Sequence, residues 1–165
     1  MKKLYFLRHA NAVLRGTPGY PNDDRPLTDE GIEKFIQSAK GIKRLVDCFD
    51  VIITSPLKRA HETAAILARE MGLEERIVVT DHLRPGSNLR LLLACLEKFK
   101  SKQQILLVGH EPDMSALISR FVGSNHPVVT MKKGAFCRVD VDAFPPRDPG
   151  QIVWLLQPKL LRKLG

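Results

Sequence analysis

Short apolar runs alternate with amphipathic segments over most of the chain. Three runs of four or five residues have the composition of strands that are buried on both faces, and a shorter run lies between the second and the third. The predicted strands are Leu4 to Leu7, Val51 to Thr54, Ile77 to Val79 and Ile105 to Gly109.

Apolar residues at helical spacing predict four amphipathic helices between and after these strands. The first begins after an N-cap at Thr28 and runs to Val46, and the second has an N-cap at Ser55, Pro56 at its first position and a C-cap at Gly72. The third is capped by Ser87 and covers residues 89–99, and the fourth begins at Pro112 and ends at Gly123.

The last quarter of the chain has a different pattern. Residues 135–141 alternate between apolar and polar, a turn-rich stretch covers 144–150, and residues 152–156 are apolar, which predicts an antiparallel hairpin with a long tip. Residues 159–165 look like a basic and apolar tail. Strands that alternate with helices and end in a hairpin predict an α/β fold: a three-layer α/β/α sandwich with a mostly parallel sheet, in one domain over residues 1–165.

Composition narrows the classes of partner. The chain has 165 residues and a formal net charge of +8, which favours an anionic partner. Basic and acidic residues are interleaved, and no recognition helix or basic sheet with aromatic residues is evident, so nucleic acid is not the expected partner. No apolar stretch approaches the length of a membrane span, the N-terminal apolar run is too short for a signal peptide, and the three cysteines form no CxxC pair. These features predict a cytoplasmic protein, away from membranes, with reduced and buried thiols.

Chemically suggestive residues follow three of the predicted strands. They are the pairs Arg8-His9, Thr54-Ser55 and Gly109-His110. Because the carboxyl ends of parallel strands meet at one edge of a sheet, these groups are expected to share one crevice. Arg59, just inside the helix after Ser55, adds a guanidinium group that suits phosphate oxygens. The sequence therefore predicts an anion site with phosphoryl chemistry.

In order and spacing, these residues resemble a known family. Arg8-His9, the stretch Arg25 to Thr28, Ser55-Pro56 with Arg59, and Gly109-His110 are similar to the motifs of the histidine phosphatase superfamily, which includes the phosphoglycerate mutases. The short chain and the segment from Trp154 to Pro158 with Leu161 look more like the SixA-type phosphohistidine phosphatases. The resemblance implies a phosphoglycerate mutase-like fold.

The resemblance also implies catalytic roles. His9 would attack phosphorus as a neutral imidazole and form a covalent phosphohistidine that water then hydrolyses. Arg8, Arg59 and His110 would bind the equatorial oxygens, where the charge of the transition state is spread. Arg8 and Arg59 should also disfavour protonation of His9. These four side chains suffice without a metal, and no metal or other cofactor is expected.

Two departures from the family pattern bear on the substrate. Ala10 stands where the superfamily usually has glycine, a small change. Many members also place a carboxylic acid after the third strand, which protonates an alkoxide leaving group; here residues 81–88 contain no glutamate. Such a proton is typically worth ~10²–10⁴-fold in rate, and an imidazole leaving group needs less help. The missing acid favours a phosphohistidine substrate over a sugar phosphate.

Three further residues have two readings each. Asn11 hydrogen-bonds the phosphate or forms an Asx turn at the start of the loop. Arg25 contacts the substrate phosphate or pairs with an acid such as Asp24 or Asp29. Ser55 is an N-cap first and a substrate-binding residue second.

Lys132 and Lys133 are expected to be exposed charged residues. The alternative is that they attract an acidic protein substrate.

Three functions remain open from the sequence. The first is a phosphatase that removes phosphate from a protein phosphohistidine, for example on a phosphorelay or phosphotransfer domain. The second is a phosphatase for a small phosphorylated metabolite, which would need a deeper, closed pocket. The third is a phosphate- or phosphopeptide-binding module without turnover, against which the complete set of His9, Arg8, Arg59 and His110 speaks.

Overall fold

Six strands form a single mixed sheet. The computed structural model describes residues 1–144 and 146–165, with Asn22 described in its backbone only. The strands are β1 (Lys2–Arg8), β2 (Val51–Thr54), β3 (Ile77–Val79), β4 (Gln104–Gly109), β5 (Phe136–Val141) and β6 (Gln151–Leu156). Their order in the sheet is β3-β2-β4-β1-β5-β6. The first four are parallel, and β5 and β6 run antiparallel to their neighbours, as the sequence predicts.

Five α-helices cover the two faces of the sheet. They are α1 (Asp29–Leu45), α2 (Lys58–Met71), α3 (Leu89–Leu96), α4 (Asp113–Phe121) and α5 (Pro158–Leu164). One apolar cluster packs α1, α2 and α5 against side chains such as Leu7 and Leu106, and a second packs α3 and α4 against Phe6 and Leu107. Successive residues of a strand point to opposite faces, so each buried strand contributes to both clusters. The predicted three-layer α/β/α sandwich is confirmed.

The helix starts agree with the sequence in one case and differ in three. Thr28 caps α1, since its hydroxyl accepts a hydrogen bond from the Gly31 amide at 3.0 Å. The predicted caps at Ser55 and Ser87 are wrong: α2 begins only at Lys58, and Asn88 caps α3 through its side-chain oxygen. Pro112 precedes the first residue of α4. At α3 the residue next to the predicted cap is also polar and fits the same sequence pattern, whereas Leu57 precedes α2 without a side-chain cap.

The predicted C-terminal tail is a helix. Pro158 occupies the first turn of α5, where its missing amide hydrogen costs nothing, and Leu161 is fully buried against α1. The two helices approach closely at Gly41, where a Cβ atom would lie 2.1 Å from the carbonyl oxygen of Leu161. A seven-residue segment is too short to show helical periodicity, and its partner, α1, lies far away in the sequence.

The hairpin of β5 and β6 closes the sheet beyond β1. Its register changes between Arg138 and Val139, which is a β-bulge. Of the predicted hairpin tip, 144–150, Pro145 lies outside the described residues.

Two further expectations concern the surroundings of the protein. No helix in the described part of the chain is long and apolar enough to cross a membrane. The cysteines are unpaired, but only Cys137 is buried, whereas Cys48 and Cys95 are half-buried. The expectation of three buried thiols is therefore wrong for two of them.

Candidate active site

The carboxyl ends of β1, β2 and β4 meet at one edge of the sheet. Arg8 pairs with Gly109, and the His9 amide donates to the Gly109 carbonyl at 3.0 Å. The Ser55 amide similarly donates to the Val108 carbonyl at 3.1 Å. The rings of His9 and His110 therefore face each other, with their centroids 5.2 Å apart. The structure thus brings together the groups that the sequence predicts in one crevice.

His9 has its Nε2 atom available as a nucleophile. Its Nδ1 atom lies 2.7 Å from the carbonyl oxygen of Ala10. Because a carbonyl oxygen only accepts hydrogen bonds, Nδ1 carries the proton of the neutral ring and Nε2 carries the lone pair. The adjacent backbone therefore holds His9 in the tautomer that an attack on phosphorus requires.

The electrostatic surroundings keep His9 neutral. Burial is the largest cause of the shift in its pKa, and the cationic charges of Arg59, Arg8 and Lys133 add to it. Together they outweigh the hydrogen bond to Ala10 and lower the pKa of His9 to about 3. The sequence correctly predicts that the arginines lower the pKa of His9, but burial lowers it more.

His110 is a second neutral imidazole, and Ser55 holds it. Its Nε2 atom lies 2.9 Å from the Ser55 hydroxyl, which also accepts a hydrogen bond from the Leu57 amide at 3.3 Å. Burial, then the charges of His9 and Arg59, lower the pKa of His110 to about 3. When the Ser55 hydroxyl donates to Nε2, the proton of the neutral ring is on Nδ1, which becomes a hydrogen-bond donor.

Two arginines complete the cluster. Arg8 donates from Nη1 to the Met131 carbonyl at 2.7 Å, and Arg59, almost fully buried, donates from its terminal nitrogens to Asp23 at 2.7 and 3.0 Å. Their Nε atoms are buried and have no hydrogen-bond partner within the described residues, and the same holds for Nδ1 of His110. Buried polar groups are normally paired, so three such donors in one site indicate a ligand with acceptor oxygens.

Asp23 is a site residue that the sequence analysis missed. Its carboxylate contacts Arg59 at 3.0 Å and Arg25 at 2.6 Å. Partial burial raises the pKa of this carboxyl, but the hydrogen bond from Arg25 and the charge of Arg59 outweigh it and lower the pKa to about 2. Asp23 has a φ of 60°, which is uncommon outside glycine but tolerated by aspartate. Only the path of the loop from 11 to 28 brings it to the site.

Arg25 pairs with an acid, as in the second of its two predicted roles, and Asn11 lies at the surface. Arg25 pairs with Asp23, rather than with Asp24 or Asp29, and it also donates to the Val13 carbonyl. It therefore holds the loop over the site. Asn11 is exposed, and its carbonyl accepts a hydrogen bond from the Thr28 amide at 3.1 Å.

Thr63, the second residue that the sequence did not reveal, orients the backbone next to His9. Its buried hydroxyl accepts a hydrogen bond from the Ala10 amide at 3.0 Å and donates one to the Arg59 carbonyl at 2.6 Å. Ala10 is not among the positive-φ residues of the described chain, so an alanine fits here without strain. A threonine on an amphipathic helix carries no sequence signal that would have identified it.

Residues 81–88 contribute no acid to the site. Asp81 pairs with Arg84 at 2.7 Å on the surface, and the backbone of Gly86 donates to Asp113 at 2.7 Å. A candidate metal site is also absent from the described residues, since no three His, Cys, Asp or Glu side chains are grouped together.

A cavity of about 400 Å³ opens beside Arg8. It lies between the start of the 11–28 loop, α1, α5 and the segment that precedes β5, and Asn11 stands on its rim. Of the four side chains of the cluster, Arg8 lines this cavity, whereas His9, Arg59 and His110 are buried behind it.

Comparison with known proteins accounts for this arrangement. The histidine phosphatase superfamily (branch 1) matches residues 4–85. An uncharacterised protein of Picosynechococcus sp. is 39% identical over 116 residues, which is 68% of each chain. The chain belongs to the histidine phosphatase superfamily. It is a phosphatase of that superfamily.

Solved structures of the superfamily have the same fold. The protein histidine phosphatase SixA, complexed with tungstate, superposes with a TM-score of 0.82 at 23% identity, over 96% of this chain and 99% of that one. A mycobacterial glucosyl-3-phosphoglycerate phosphatase in complex with VO3 gives a TM-score of 0.74 at 18% identity, over 93% and 99% of the two chains. These likenesses establish the phosphoglycerate mutase-like fold of this histidine phosphatase.

Proposed function

We propose that this histidine phosphatase removes phosphate from a protein phosphohistidine, without a metal ion, through a covalent intermediate on His9. The observation that carries the proposal is the set of three buried nitrogens without a hydrogen-bond partner among the described residues, on Arg8, Arg59 and His110, together with the His9 ring, which lies 5.2 Å from that of His110. Three N–H groups around a nucleophile suit the three equatorial oxygens of a phosphoryl group in transfer.

The reaction proceeds in two displacements. Nε2 of His9 attacks phosphorus, the bond from phosphorus to the substrate imidazole breaks, and the bonding electrons leave with that imidazole. When its other ring nitrogen is protonated, the leaving group departs as a neutral molecule. Water then attacks phospho-His9, releases inorganic phosphate and regenerates the neutral ring that Ala10 orients.

The state of the acids supports a nitrogen leaving group. An alkoxide leaves far more readily when an acid protonates it. Asp23, the carboxyl that contacts Arg59, has its pKa lowered to about 2 and is therefore ionised at neutral pH. Asp81 lies on the surface. An imidazole that leaves as a neutral molecule does not need a proton from an acid of the enzyme.

A phosphatase for a small phosphorylated metabolite is the second candidate. The glucosyl-3-phosphoglycerate phosphatase of similar fold is such an enzyme by its name. The open surface beside Arg8 favours the protein substrate, since a metabolite enzyme is expected to enclose most of its ligand.

The test compares a phosphohistidine peptide with p-nitrophenyl phosphate, using the intact protein and His9→Ala. We expect the intact protein to hydrolyse the peptide and His9→Ala to lose at least 10³-fold in kcat, because the nucleophile is removed. Acid-labile ³²P trapped on the intact protein should map to His9. Turnover of the ester alone would transfer the proposal to a metabolite substrate, and binding without any turnover would identify a phosphate-binding module.

A further inference from the structure

The cavity beside Arg8 is a groove lined by basic side chains from separate parts of the chain. Lys34 comes from α1, Lys132 and Lys133 precede β5, and Arg162 comes from α5. With Arg8, they define what we call the basic groove, which has a volume of about 400 Å³. Phe35 and Pro158 provide apolar surface in its wall.

Four of the five cations of the basic groove, Arg8 included, form no ion pair with the described residues. Among the described residues that line the groove there is no acidic side chain. Lys34 pairs with Glu30 on its own helix, whereas Lys132, Lys133 and Arg162 make no ion pair with any of the described residues. Like charges brought together by folding raise the free energy of the folded state, and a bound anion relieves that repulsion.

The basic groove and the predicted phosphate site share Arg8. Lys133 is half-buried, and burial, followed by the charges of Arg8, Arg25 and Arg59, lowers its pKa. The charges of these three arginines therefore act on its ammonium group. The backbone amide of Gly134 donates to the carbonyls of Arg8 and His9 at 3.1 and 3.0 Å, which ties this segment to the nucleophile.

We propose that the basic groove binds acidic side chains of the protein substrate that lie within a few residues of its phosphohistidine. This inference rests on the proposed function and names the chemistry of the substrate around the phosphorylated residue. A phosphohistidine at Arg8 and His9 places its neighbours along the groove, where three cations without partners meet Asp or Glu carboxylates. The apolar wall accepts the methylene groups of such side chains.

The test uses matched phosphohistidine peptides that carry glutamate, glutamine or lysine on both sides of the phosphorylated residue. For the intact protein we expect kcat/KM to be about three- to tenfold higher with glutamate than with glutamine, the range expected for one or two exposed ion pairs. In Lys132→Glu/Arg162→Glu the order should invert, so that the lysine peptide becomes the best of the three. If that variant fails to fold by circular dichroism, Lys132→Gln/Arg162→Gln should bring the ratio close to one.

The control is Lys159→Glu/Lys163→Glu, which makes the same change in net charge on exposed positions of α5 outside the groove. It should keep the glutamate preference. Equal loss of preference in the control would mean that only net charge matters and would overturn the proposal.

Other outcomes separate this proposal from the one on which it rests. Equal rates for the three peptides with the intact protein would overturn the groove and leave the phosphohistidine activity standing. Free phosphohistidine hydrolysed faster than every peptide would assign the groove to a small anion. Ester turnover without hydrolysis of any phosphohistidine peptide would overturn both.

Discussion

Ser55 contacts His110 at the site edge of the sheet. It is fully buried at the end of β2. The Leu57 amide donates to its oxygen, and the hydroxyl proton remains free to point at Nε2 of His110. When the Ser55 hydroxyl donates to Nε2, the proton of the neutral His110 ring is on Nδ1. This atom is one of the three buried nitrogens without a partner among the described residues. We infer that Ser55 is a positioning residue that sets the tautomer of His110.

Ser55→Ala tests this role. Without the hydroxyl, the His110 proton is free to move to Nε2, and the donor to phosphate is lost. We expect kcat to fall by about tenfold, the equivalent of one hydrogen bond, with a smaller change in KM. ¹⁵N NMR of the labelled protein should show His110 changing from the Nδ1–H tautomer to a mixture.

Ser119→Ala is the matched control for Ser55→Ala. It removes another buried hydroxyl, which bonds to the backbone of Ser115 and Val128, away from the cluster. It should lower stability without a change in the His110 signal. An unchanged tautomer and an unchanged kcat in Ser55→Ala would contradict the positioning role.

At the scale of elements, the buried strands could be predicted from the sequence, but the loop and helix residues that contact the strand ends could not. A run such as Ile105 to Gly109 has few alternatives to a central strand, and the residues at its end then lie at the site edge. The loop from 11 to 28 has no periodicity, so nothing in the sequence places Asp23, rather than Asp24, on Arg59. Thr63 meets Ala10 only because folding brings α2 against the segment that follows β1, which is a tertiary contact.

The helix α5 docks on α1 through one buried leucine. Leu161 is fully buried against α1, whereas its neighbour Leu160 is about half exposed, at 49%. Leu161→Ala should lower the free energy of unfolding by about 2–5 kcal/mol, the usual cost of a cavity at a buried leucine, and Leu160→Ala by less than about 1 kcal/mol. Urea unfolding of the three proteins measures the difference. Equal losses for the two variants would mean that α5 does not dock on α1 in solution.

At the scale of the whole molecule, the site is maintained at a cost in stability. Folding buries two imidazoles and two guanidinium groups in one crevice, where burial lowers the pKa of Arg8 and Arg59 as well as that of the histidines. These buried positive charges favour a bound anion, and phosphate is the anion expected at this site. Inorganic phosphate should therefore stabilise the fold by binding only the native state. The buffers for any measurement of intrinsic stability must exclude it.

The two depressed histidine pKa values make stability depend on pH. Between pH 7 and pH 5 the unfolded chain binds protons on imidazoles with a pKa of about 6.5, while folded His9 and His110, with pKa values of about 3, do not. The unfolded state therefore gains protons as the pH falls, and stability decreases by about 2 kcal/mol for each histidine. Asp23, with its pKa of about 2, remains ionised in this window and does not contribute.

Urea unfolding of the intact protein at pH 7 and pH 5, beside a His9→Gln/His110→Gln variant, measures the effect. The intact protein should lose about 4 kcal/mol more than the variant over this interval. An equal loss in the two proteins would mean that folding does not lower the pKa of these two rings, because the folded and unfolded imidazoles would then take up protons over the same pH range.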